Sequence, residues 1–484
     1  MGHRRIVRIV AASASLLLPV ALGQTAHASQ ATVRVKAAQP GSTNAAQPAT
    51  FHATDSDEDL DNPFDALYKS NFALKPLSAD QIAPATQPLA TKDLTGPAHI
   101  DAAYGTRTYL ATHPPDGRGE PVRHDGSRRQ AFNADNSRYI TRDSGGAWYL
   151  YDAKTLQAIK KLDPLSGDCE PIWHASDPDR LLFTSDGGGT TWWTLNIKTG
   201  STTVLFDFTG KTDWPEATSY WTGGEGTTSA DGRFLSLMAT RPGQEPNDGQ
   251  NPRDGEVYGL VTLDLKEKKI VGTLDANDFP EPGAMPQGIS TSASGKYAVP
   301  SWPKGQGGTR AYTRTFGKSA ELTKGSGPAD LAFGPGKQDY YVYADADRGK
   351  IMAVNLATRK RIALHTLEPA DGETYSLHIS GQAFDRPGWV VISTYDDSSD
   401  DGAVSPSPTV RPEYRKVWLL KLQPGGRALN VTHTHAGEPH PDGDTAEGPQ
   451  ASASRDLSRI LFASDFGAGD VESFLVGLPT TFDR

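Results

Sequence analysis

The sequence predicts an all-β fold, a seven-bladed β-propeller, on three observations. A pattern of two short alternating strands joined by a turn of the type S-x-D-G or S-R-D-x-S recurs from about residue 127 to the end of the chain. The period is roughly 40 to 55 residues, the range of propeller blades. The 49 glycines and 35 prolines fall mostly between apolar runs, as short strands and tight turns require, and no stretch shows sustained helical periodicity. Finally, the last copy, 448–466 and its sequel, holds only three strands (450–454, 460–464 and 472–478), while an unpartnered strand G-T-R-T-Y-L-A-T lies at 105–112. That strand is expected to supply the missing fourth and close the ring, which removes the open edges of a row of sheets. A single propeller accounts for all of the chain after residue 93, although 484 residues would on length alone suggest two or three domains.

In chain order, residues 1–28 read as an export signal. Arg4, Arg5 and Arg8 form a basic start, 11–23 an apolar run too short to anchor in a membrane, and Ala26-His27-Ala28 a cleavage site. The expected location is the periplasm or the medium of a bacterium. The Arg4-Arg5 pair permits twin-arginine export but lacks the flanks of that signal. Residues 29–93, rich in Ala, Gln, Thr and Pro, read as a tether or disordered arm, within which 67–77 could form a short helix or clip against the domain. The propeller is placed at 94–484.

Its copies begin at about Arg128, Glu170, Glu225, Gln287, Gly327, Tyr375 and Gly448. The third and sixth carry insertions, 243–255 and 396–412, rich in Asp, Asn, Gly, Pro and Ser. These are either binding loops on a rigid scaffold or plain surface excursions. The run D-D-S-S-D-D-G at 396–402 lacks the distal glutamate of an EF-hand loop and reads as an acidic loop.

The net charge of −10 and the scatter of Lys and Arg argue against a nucleic-acid partner. An anionic polymer would need a local basic patch or a metal. The single cysteine, Cys169, excludes an internal disulfide and reads as a small buried apolar group. Where each inner strand begins stands a polar residue: Gln130 (beside Arg128 and Arg129), Glu170, Glu225, Gln287, Asp330, His378 and Gln450. Seven such groups would ring one mouth of the channel, either as a site or merely hydrating it. Histidines form a second set: His124, His174 beside Trp173, and His378, each a potential base or ligand. The cluster T-H-T-H-A-G-E-P-H-P-D-G-D holds His433, His435, His440, Asp442 and Asp444, and an H-x-H pair on a strand puts both rings on one face, which suits a divalent metal. There is no G-x-S-x-G, P-loop, H-E-x-x-H, dinucleotide fingerprint or spaced cysteine set.

The S-x-D-G-R turns and the closing Q-A-S-A-S-R-D-L-S-R-I-L-F-A-S-D-F resemble the TolB-type, WD40-like propeller repeat over roughly residues 100 to 480. Among such proteins the chain is similar to secreted seven-bladed polysaccharide lyases of the oligogalacturonate-lyase and ulvan-lyase kinds. The resemblance implies a divalent metal, manganese or calcium, held by His378, His433, His435 and Gln450. It also implies catalysis by His174, Tyr220 and Arg128 or Arg241. From the polar ring and the histidines above, His124 joins the catalytic set, and Glu170, Trp173, Glu225, Gln287 and Asp330 are placed against the glycan. Of these, Glu170, Glu225 and Asp330 would repel a uronate unless a metal sits among them or they face elsewhere. The activity implied is β-elimination from a uronic acid, by a monomer acting on poly- or oligosaccharide. Two other readings stay open. One is a non-catalytic envelope propeller binding protein or glycan. The other is a glycoside hydrolase with paired carboxylates, which needs a separation of about 5 to 10 Å.

Overall fold

Seven antiparallel sheets form the molecule, and their order follows from the turns that join them. The computed structural model describes residues 62–80, 85–113, 121–224, 226–242, 255–368, 375–395, 411–436, 448–467 and 470–484. The signature turn works through its first side chain. The Ser229 hydroxyl accepts from the amides of Arg233 and Phe234, and Ser454 accepts from Arg459 in the same way. Asn133 and Ser292 do so for Arg138 and Tyr297. Each capped amide starts the second strand of its blade, so the motif fixes where strand two begins.

Blades 1 to 6 are four-stranded and built strand after strand from the axis outward. Blade 1 runs from Val122–Arg123 to Ala158–Ser166, blade 2 from Ile172–Trp173 to Thr202–Asp207, and blade 3 from Ser219–Trp221 to Lys269–Asp275. Blade 4 covers Gly288–Thr291 to Ser319–Thr323, blade 5 Ala329–Phe333 to Arg361–Thr366, and blade 6 Ser376–Ser380 to Ala428–His433. Blade 7 takes Ser452–Ala453, Arg459–Ser464 and Glu472–Gly477 from the C-terminal end, then Arg107–Leu110 and His99–Ile100 from the other. Tyr109 pairs with Leu475 and His99 with Thr108, so the closing strand is as expected and carries one further strand outside it. Among the described residues there is no α-helix, and no helix is long and apolar enough to cross a membrane. Apolar side chains of adjoining blades interlock into the core; Trp148, Trp192, Trp302 and Trp418 are fully buried in it.

Two features differ from the sequence reading. The inner strand of blade 1 starts at Val122 and is interrupted: Val122 pairs with Asp143 and Arg123 with Arg142, but the next bridge is Phe132 to Tyr139. Residues 124–131 are therefore extra chain inserted into the inner strand. Second, residues 62–80 and 85–93, placed in the arm by composition, lie on the propeller. Phe64 and Leu74 are buried, Pro76 bridges Leu429, and the Asn430 side chain donates to the Pro76 carbonyl. Gly477 permits this, since a Cβ there would collide with the Phe64 ring. The clip expected at 67–77 thus extends from Asn62 to Asp80. Residues 1–61 lie outside the described residues.

Candidate functional site

The inserted segment 124–131 draws several of the polar residues together around the axis. Arg129 pairs with Asp125, donates to the Gly224 carbonyl and lies 3.8 Å from Glu170, while the Ser452 hydroxyl donates to its carbonyl. Glu170 is fully buried and accepts from the Thr222 amide (2.7 Å), the Thr222 hydroxyl (2.6 Å) and the Gly224 amide (3.1 Å). Gly223 and Gly224 adopt positive φ, which turns both amides toward the carboxylate. Asp330 has the same task for blade 6: it accepts from the Gly381 amide at 2.7 Å and the Gln382 side chain at 3.0 Å. The Gln130 side chain donates to the Gln382 carbonyl. Burial pushes Glu170 up to about 7 against the opposing charge of Arg129. It does the same for Asp330 against the Gly381 amide, Gln382 and the charge of Arg128. Arg128 itself is exposed, with its charge also felt by Tyr341. The carboxylates of this ring therefore tie blade to blade.

The other expected catalytic residues do not join them. His124 is buried, with one ring nitrogen 2.7 Å from the Gln450 carbonyl and the other 2.8 Å from the Ser473 hydroxyl. His174 accepts from the Ser176 and Asp177 amides and lines a small cavity with Trp173, Phe384 and Arg455 where the inner strands end. The Trp173 indole donates to the Ala131 carbonyl. Tyr220 is buried, stacked at 4.0 Å on Phe208 and bonded to the Thr212 hydroxyl, a core residue of blade 3. Arg241 is exposed and pairs with Glu216. Gln287 is exposed and accepts from Ser326. Glu225, His440, Asp442, Asp444 and most of both insertions lie outside the described residues. Cys169 is buried, and burial pushes its thiol up to about 12, so it is no nucleophile.

The four expected metal ligands separate into three places. His378 stacks on Tyr395 at 5.1 Å, on the inner strand of blade 6. His433 ends the outermost strand of that blade, three strand spacings or about 14 Å away. Gln450 is held at the axis by His124, at a positive φ of 41°. His433 and His435 instead meet residues that sequence reasoning missed. His433 Nδ1 lies 2.9 Å from Asp101 Oδ2, and His433 Nε2 lies 3.2 Å from Asp80 Oδ1 and from the Tyr104 hydroxyl. One ligand atom each of Asp101, His433 and His435 lies within 4.8 Å of the others. The His99 ring is 4.8 Å from that of His435. Lys416, fully buried beneath the cluster, pairs with Asp80 at 3.1 Å.

The charges of this cluster are ordered by contact. Burial opposes charge on His433, but the bonds and charges of Asp101 and Asp80 overcome it and raise its pKa. Asp101, against its own burial, is brought down to about 2 by His433. Burial, with His99 and His433 nearby, lowers His435 to about 4, and burial lowers His99 as well. At neutral pH, His435 and His99 are thus neutral imidazoles. The signal that could have found the site is H-I-D at 99–101, the same i, i+2 spacing on a strand as H-T-H at 433–435. H-I-D lies outside every repeat, so the blade pattern does not point to it.

Fold and cluster together define a seven-bladed β-propeller with a histidine–carboxylate site between the outer strand of blade 6 and the closing strands of blade 7. No family description matches the chain, and no curated protein matches its sequence. Solved structures do match. An oligogalacturonate lyase from Vibrio parahaemolyticus superposes with a TM-score of 0.54 at 13% identity, covering 80% of this chain and 97% of its own. An oligogalacturonate lyase in complex with manganese gives 0.52 at 16% identity, covering 84% and 98%. The chain has the propeller fold of these lyases.

Proposed function

We propose that the protein is an exported polysaccharide lyase that cleaves uronic-acid-containing glycans by β-elimination, with a divalent metal held by Asp101, His433 and His435. The observation that carries this reading is that three-residue cluster, on the fold of lyases of which one binds manganese. The donor set can take a metal: the Nε2 atoms of His435 and the neighbouring His99 are buried and have no hydrogen-bond partner, and His433, whose ring nitrogens face Asp101 and Asp80, would give up a proton to the ion. Two imidazoles and a carboxylate suit a first-row ion such as manganese better than calcium, which takes oxygen ligands.

A bound cation would neutralise the C6 carboxylate of a uronate and so acidify its C5 proton. The chain supplies the setting. Arg415 donates to the Ala436 carbonyl next to His435, which places a guanidinium beside the cluster. Lys416 lies beneath it, paired with Asp80, its ammonium disfavoured by burial and supported by that carboxylate. Glu170 and Asp330, which would repel a polyuronate if exposed, are buried, spent on neighbouring amides and shifted toward neutrality. That same use removes them as a hydrolytic pair. The basic and apolar start of the sequence with its A-x-A site supports export.

The test is ultraviolet absorbance of the unsaturated uronate product, on oligogalacturonate and other uronate polymers. Product should form, stop on chelation and return with manganese, and His433→Ala should lower the rate about 100-fold or more. New reducing ends without that absorbance would make the protein a hydrolase. Neither signal, with glycan retained, would make it a binding propeller.

A further inference from the structure

The residues around this cluster come from opposite ends of the fold. His433 and His435 lie at the end of blade 6, while His99 belongs to the last strand of blade 7, whose sequence lies before blade 1, and Asp101 directly follows that strand. We propose that His99 is a further ligand of the ion assigned above, and that the ion is a clasp which locks the closing strands of the ring to blade 6. This rests on the metal reading of the preceding section.

Three observations support it. His99 and His435 each bury an Nε2 with no hydrogen-bond partner, and their rings meet edge to face at 4.8 Å, which puts a second unpaired imidazole nitrogen next to the group of Asp101, His433 and His435. The two stretches are already in register: Asp101 accepts from the His433 amide at 3.0 Å, and the Thr106 hydroxyl donates to the Val431 carbonyl at 2.6 Å. The strand His99–Ile100 is the outer edge of its sheet, paired on one side only. An ion there would hold what the ladder does not. Asp101 and His433 are 332 residues apart, and a link closing so long a loop removes more freedom from the unfolded chain than a local one. Four protein ligands still leave a manganese ion, which prefers octahedral coordination, two positions for a sugar carboxylate.

The experiment uses the full chain and manganese alone. Bound metal is measured by elemental analysis, melting temperature is followed against manganese concentration, and hydrogen exchange is mapped with and without the ion. The expected result is one ion per chain, a melting temperature that rises with manganese, and slower exchange at 99–110 and 428–435 but not in blades 2 to 4. His99→Ala should weaken manganese binding at least tenfold and abolish the added protection. The neighbouring exposed Ile100→Ala should change neither, which separates ligand loss from damage to the strand. If His99→Ala binds manganese as tightly as the parent, or the ion leaves exchange at 99–110 unchanged, the clasp is wrong, even where the chain remains a chelator-sensitive lyase. If the parent binds no manganese, clasp and metal-dependent lyase fall together, and product formation without metal would still report on the reaction.

Discussion

Asp330 shows how one side chain can be both structural and costly. It holds the Gly381 amide and Gln382 of the next blade, yet burial raises its carboxyl to about 7, above its value in an unfolded chain. A raised carboxyl favours the protonated folded state, so its contribution is fully present below about pH 4 and is lost as pH rises through 7. Denaturant midpoints taken from pH 4 to 8 should therefore fall in that window, by at most about 1.4 kcal/mol per pH unit from this group. Asp330→Asn should flatten the slope at some loss of stability throughout; an unchanged slope would show that the group does not titrate there. At this scale the sequence was partly legible. Polar residues at a fixed offset before each turn identified Gln130, Glu170, Asp330 and Gln450, which the fold draws to the axis or between blades. Their role as caps was not legible, because it depends on which backbone amides the neighbouring blade turns toward them. Tyr220 and His124 misled for the same reason: residue type says nothing about partners such as Phe208 or the Gln450 carbonyl.

Among the elements, the segment Asn62 to Asp80 was the least legible. It lies within a longer stretch rich in Ala, Gln, Thr and Pro, and it has no repeat, but a few apolar anchors suffice when a groove awaits them. Phe64 sits over Gly477, and the Leu74 amide donates to the Phe482 carbonyl. Its last residue, Asp80, reaches the buried ammonium of Lys416, to which Ser78 also gives its carbonyl. Removing one partner of a buried ion pair strands the other, at about 3–5 kcal/mol. Asp80→Ala should lower stability by that order in urea unfolding. The double change Asp80→Ala with Lys416→Met should recover most of it, since an apolar pair needs no counter-charge. Failure of the double change to recover would mean that Asp80 acts mainly through His433. The blades themselves were readable because their turns carry the signal locally, in the Ser or Asn that caps strand two.

For the whole molecule, closure decides cooperativity. Among the described residues, the longest ladder joining the first and last parts of the ring is that of Arg107–Leu110 with Glu472–Gly477. Tyr109→Pro, in the middle of that strand, should open the ring. The expected outcome is a broader, multi-step thermal transition and concentration-dependent association through the freed edge, seen by light scattering. A sharp transition in a strictly monomeric variant would place the closure elsewhere. Seven blades and their closing strand were visible in the sequence because a repeat unit with a missing strand demands one from outside. The insertion 124–131 was not, since it interrupts a strand without altering its composition.

The closing pair also sets a schedule for synthesis. Arg107–Leu110 leaves the ribosome with only the two-residue strand His99–Ile100 to pair with, and its other partner at 472–477 follows roughly 365 residues later. At about 5–20 residues per second, that strand waits on the order of 20 to 70 s, a bare β-edge on a growing chain. Nascent molecules are thus exposed to mispairing for most of their translation, and holdase chaperones would find their target in this early strand.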